Sequence, residues 1–120
     1  MTGTTMSAGA DDLFIAVMAL NRRTFDAGNF DDAYHALAAA LHLGQMTGNH
    51  HSLVLVAQTA REQLARIDRD APGYRHSSLS TRQRGYKMPG VWEVLANVAQ
   101  AHVGSSDAVY PVAAKQHKEV

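Results

Sequence analysis

The chain has 120 residues, enough for one domain and too few for two independent cores. Its 46% hydrophobic and 18% charged residues exclude a wholly disordered chain, and the lack of cysteine excludes disulfides, thiolate metal sites and cysteine nucleophiles. Eleven basic groups balance eleven acidic ones, so there is no chain-wide basic field for nucleic acid or an anionic membrane, though a local patch remains open.

In chain order, residues 1–10 carry no apolar periodicity and are expected to be a flexible N-terminus. A first helix is expected from Asp11-Asp12, whose carboxylates suit the positive end of the helix dipole. Leu13, Val17 and Leu20, with Phe14, Met18 and Phe25, recur at three-, four- and seven-residue spacing and make one broad apolar stripe. Ala27-Gly28-Asn29 stops this helix. A second helix follows from Asp31, as N-cap, to Leu43, with Ala33, Leu37, Ala40 and Leu41 inward and Gly44 and Gly48 bracketing its exit. A third starts after Asn49 and carries the cleanest stripe: Leu53, Val56, Ala57, Ala60, Leu64 and Ile67.

Pro72-Gly73 then divides the chain into unlike parts. Residues 1–70 hold five basic and eight acidic groups, a net of −3, whereas residues 71–120 hold six and three, a net of +3. Residues 72–89 lack periodicity and read as a basic linker. A short fourth helix is expected within 90–104, with Val91, Leu95, Val98 and His102 on one side and Trp92 nearby. Residues 105–120 contain Pro111 and read as a flexible tail. No segment alternates with period two, so the fold class is all-α: a three-helix module over 11–71 with a further helix after the linker. No apolar run approaches the roughly 18 residues of a membrane span. Met1 to Ala10 lacks the basic and apolar regions of a signal peptide, and a cytoplasmic location is expected.

The stretch Ala27-Gly28-Asn29-Phe30-Asp31-Asp32-Ala33-Tyr34, followed by Leu37, Ala40 and Leu41, resembles the turn and second helix of a tetratricopeptide repeat. Gly28 corresponds to the turn glycine, Phe30 to the aromatic after it, Ala33 and Ala40 to the small contact positions, and Leu20 to the first-helix leucine. Asn21, Val17 and Gln45 depart from the repeat, which usually has a small residue, an aromatic and a proline there. The resemblance covers one unit, about residues 14–47, and implies an antiparallel helical hairpin with the next helix as a cap. It also implies a non-enzymatic adaptor whose groove takes a partner helix or peptide. Asn21, Arg22 and Thr24, as outward positions of the first helix, with Met18 at their edge, are then the partner-contacting residues.

Three helices over about 60 residues bury a marginal core. Either the fourth helix folds back over the open face or a second copy covers it, and a homodimer through Val91, Trp92 and Leu95 is the favoured of the two. A structural homo-oligomer is therefore one alternative function. Another is an accessory factor that contacts nucleic acid or an acidic protein surface through Arg75, Arg82, Arg84 and Lys87, with Tyr74 and Tyr86 interleaved.

His42, His50 and His51 flank one short connection, and three imidazoles can hold zinc. Solvated histidines at helix ends explain them more simply, and no metal or other cofactor is expected. Ser77, Ser78 and Ser80 beside His76 do not make a triad, and no glycine pattern cradles phosphate. The sequence points to no catalytic residue.

Overall fold

The apolar spacing of the first seventy residues does produce three long helices, but the first two are longer than their cap signals suggest. The computed structural model describes residues 2–85 and 89–103. Helix α1 spans Thr2–Asp26, α2 Phe30–Thr47, α3 His50–Asp70 and α4 Ser78–Gln83. A fifth helix, α5, occupies 91–103. All five helices pack together, and the described residues contain no strand.

Helix α1 starts at Thr2, nine residues before the expected start at Asp11, so residues 2–10 are helical rather than a loose leader. No proline interrupts them, and a nucleated helix propagates at one hydrogen bond per added residue. Its broad apolar stripe divides. Phe14, Met18 and Phe25 enter the core, whereas Leu13 and Leu20 stay on the surface at 52% and 48% exposure.

The α1–α2 turn is closed by Gly28 at φ +82°, a left-handed conformation that a side chain would strain. Its N–H donates to the Phe25 carbonyl at 2.9 Å, while Asn29 N–H reaches back to Thr24 at 2.9 Å. Asn29, not Asp31, holds the N-cap position of α2, and Asp31 and Asp32 lie in its first turn.

Helix α2 runs through Gly44, which was expected to end it, and stops at a left-handed Gly48. Gly44 has a packing role instead. It is buried, and a Cβ there would sit 3.1 Å from Leu53 Cδ2, so the missing side chain lets α2 and α3 approach closely. Asn49 caps α3 as expected, its side chain accepting from Ser52 N–H at 3.1 Å.

The expected inner stripe of α3 is buried except for Leu64, which is half-buried. A polar contact binds α3 to the first hairpin. Asn21 is fully buried, donates to the Ala33 carbonyl at 2.8 Å and pairs with Gln63. Arg66 lies over the Phe25 ring at 4.8 Å and approaches Asp26 at 3.6 Å.

Within the expected linker, residues 72–85 are held by specific hydrogen bonds. Ser77 Oγ accepts from Ser80 N–H at 3.0 Å to cap α4, and donates to the Pro72 carbonyl at 2.6 Å. Asp68 accepts from Ser78 N–H at 2.8 Å and Ser78 Oγ at 2.7 Å, which ties the segment to α3. These serine and aspartate bonds order a stretch that has no hydrophobic period to read.

Helix α5 folds back onto the bundle. Its inward residues are Trp92, Leu95, Ala96, Ala99 and Val103, while Val98 and His102 face out, so the expected stripe was rotated from the true one. Arg61 Nη1 donates to Gln100 Oε1 at 3.4 Å, and Asp68 lies near Trp92 and Glu93 at the other end, so α5 runs antiparallel to α3. Trp92 is completely buried against Phe25 and Tyr34, at ring-centroid distances of 6.1 and 5.8 Å. The homodimer expected through Val91, Trp92 and Leu95 is corrected accordingly. Trp92 and Leu95 are buried in their own chain and Val91 is half-buried, because the fold-back already satisfies that apolar surface. The tail expected at 105–120 lies outside the described residues.

Candidate functional site

Two surface features follow from the way α5 and the 71–77 loop close over the bundle. The first is a groove of about 320 Å³ between α3 and α5. Leu64, Ala65, Ala96 and the edge of Trp92 form its apolar floor. Alanine on both facing helices leaves the space that larger side chains would fill. Charge differs along its length, with Arg61 toward one end and Asp68 and Glu93 toward the other. The Asp68 carboxylate is already engaged by Ser78, so Glu93 is the exposed acid of that end.

The second is a polar corner where the loop meets the start of α2. Tyr74 Oη donates to Asp31 Oδ1 at 2.5 Å, and Arg75 Nη2 donates to Asp31 Oδ2 at 2.8 Å. The Tyr74 hydrogen bond, helped by the charges of Arg75 and His76, holds the Asp31 carboxyl below its usual range despite some desolvation. Burial and the Asp31 bond push the Tyr74 hydroxyl up to about 12. Burial and the neighbouring Arg75 and Arg84 push His76 down. The buried Trp92 Nε1 has no hydrogen-bond partner. A concavity of about 380 Å³ opens beside Phe30, Asp31 and Tyr74, with Gly28, Asn29 and Asp32 on its rim.

The expected contact residues of α1 do not form one surface. Asn21 and Met18 are buried, so the expectation that they face outward is corrected. Met18 belongs to the core cluster and Asn21 bridges α2 and α3. Thr24 is half-buried and its hydroxyl donates to Leu20 and Asn21 carbonyls at 2.8 and 3.0 Å, within its own helix. Arg22 is exposed. Of the basic residues, Arg75 is held by Asp31, Arg84 donates to the Arg75 carbonyl, Arg82 is exposed on α4, and Lys87 lies outside the described residues.

Among the described residues, no three His, Asp or Glu side chains converge as metal ligands, His42, His50 and His51 included. Nor is any helix among them long and apolar enough to cross a membrane. The groove residues Ala65, Glu93, Ala96 and Asn97 were not singled out from sequence. Their only signal was small or polar residues beside the inner stripe of each helix, which has meaning only once α3 and α5 are known to pair. No family model, curated protein or solved structure matches this chain.

Proposed function

We propose that this chain is a small protein-interaction module, not an enzyme, which takes a partner helix or extended peptide in the groove between α3 and α5. The observation that carries this reading is the groove itself, with an apolar floor of Leu64, Ala65 and Ala96 and charges of opposite sign at its ends. Such a surface suits a segment with apolar anchors, an acidic group toward Arg61 and a basic group toward Glu93. The tetratricopeptide-like reading lends support. The α1–α2 hairpin turns at a left-handed Gly28, Phe30 stacks on Phe25 at 5.1 Å, and buried Ala33 lies at the helix contact. The pairing of α3 with α5 adds a second antiparallel hairpin beside the first.

Contact with nucleic acid through the basic segment has less support, because Asp31 already neutralises Arg75. Affinity capture from the cells that make the protein tests the groove reading, with wild type compared with Ala65→Arg and Asn97→Arg, both at exposed groove positions. Both variants should stay helical and lose the captured partner. Retention of the same partner by both variants would contradict the reading.

A further inference from the structure

We infer that the outer face of α1 is a self-association surface, on which a second copy of this chain docks through its own α1 in antiparallel orientation. Leu13 and Leu20 are half exposed on that helix, one on each side of the small, exposed residue Ala16. Residues at i, i+3 and i+7 share one side of a helix, so the three form a short apolar stripe. Ala16, between the two leucines, is small enough to let another backbone come close.

The charges beside this stripe are what commit it to a second copy. Asp12 precedes Leu13 at one end and Arg23 follows Leu20 at the other, both exposed. Neither forms an ion pair within the described chain, since Asp26 is taken by Arg66 and Asp31 by Arg75. A two-fold axis passing near Ala16 places Leu13 of each copy opposite the partner's Leu20. About the same axis, Asp12 and the partner's Arg23 lie two residues, about 3 Å, apart along the helices, within reach of the long arginine side chain. The stripe is thus complementary to its own reverse in both shape and charge, which is the requirement for a closed, isologous pair. A heterologous contact would leave a free face on each copy and grow open assemblies. The stripe is short beside the interfaces of obligate dimers, so the pairing is weak and concentration-dependent.

Sedimentation equilibrium of the full chain, from about 10 to 500 µM at low salt, tests this inference. Wild type should pass from monomer to dimer, and Leu13→Glu with Leu20→Glu should weaken association by tenfold or more. Asp12→Arg alone and Arg23→Glu alone should each weaken it about fivefold, since each faces like charge in its own copy. An equimolar mixture of D12R and R23E chains pairs opposite charges at both ends and should associate more tightly than either alone. Circular dichroism confirms that every variant is folded. Monomer throughout the range, assemblies larger than a dimer, or a mixture no tighter than its components would each overturn the inference.

Discussion

The side-chain amides of Asn21 and Gln63 bond each other in both directions. Asn21 Nδ2 donates to Gln63 Oε1 at 3.0 Å, and Gln63 Nε2 donates to Asn21 Oδ1 at 2.6 Å. Both residues are buried, so each amide is satisfied only by the other and by the Ala33 carbonyl. The pair fixes the register of α3 against the α1–α2 hairpin in a way that interchangeable apolar contacts would not.

Asn21→Leu or Gln63→Leu alone strands a buried amide and should cost about 2–3 kcal/mol. The double variant Asn21→Leu/Gln63→Leu removes both polar groups and should cost less than the sum of the two single changes. Urea unfolding of the four proteins of this cycle measures the coupling. Strict additivity would show that the amides do not act as a pair.

Gly44 tests the close approach of α2 and α3. A Cβ at this position meets Leu53 Cδ2 at 3.1 Å, and Leu53 is itself buried. Alanine regains helix propensity worth up to about 1 kcal/mol, which offsets a small shift of Leu53. Gly44→Ala should therefore be near neutral, whereas Gly44→Val should destabilise by about 1–3 kcal/mol through overpacking. Thermal unfolding of both variants checks this order.

The helices, their inner alanines and the α3 stripe were readable because periodic apolar spacing and caps are local signals. Asn49 announced the start of α3 for that reason. Gly44 misled because a glycine that permits helix contact looks the same in sequence as one that ends a helix. Asn21 misled similarly. On its helix it reads as an outward polar residue, and only Gln63, forty-two positions on, makes its burial affordable. Periodicity alone sets Trp92 beside the apolar stripe of α5, whereas in the folded chain it anchors the buried face. The groove depends on the α3–α5 pairing across an aperiodic segment, and no local pattern encodes that pairing.

Trp92 is the only tryptophan, and it is completely buried. Its emission should be blue-shifted and resistant to acrylamide quenching. Trp92→Ala should cost about 3–5 kcal/mol by opening a cavity among Phe25, Tyr34 and α3. Because α5 forms one wall of the groove, the same variant should also lose the captured partner. Red, readily quenched wild-type emission would contradict the fold-back.

The Asp31–Tyr74–His76 corner gives stability a pH dependence with two acid limbs and one alkaline limb. His76 lies below its ordinary 6.5, so its contribution is present above 6.5 and is lost as pH falls through its folded value. Asp31 is held below 3.8, and its contribution is lost at more acidic pH, once the folded carboxylate protonates. Tyr74 behaves oppositely. Raised to about 12 from 10.0, it contributes fully below pH 10 and loses that contribution as pH rises toward 12. Urea midpoints measured across pH should show His76→Gln flattening the limb just below 6.5 and Tyr74→Phe flattening the alkaline one. Unchanged profiles in both variants would contradict the corner's geometry.

The most direct test of the interaction-module account is site-specific photo-crosslinking of the full chain in the cells that make it. A photoreactive side chain replaces Ala65 in the groove in one protein and exposed Ala39 on α2 in another. The account predicts a distinct protein adduct from position 65 that position 39 does not give. No adduct from position 65, or the same adducts from both positions, would contradict it.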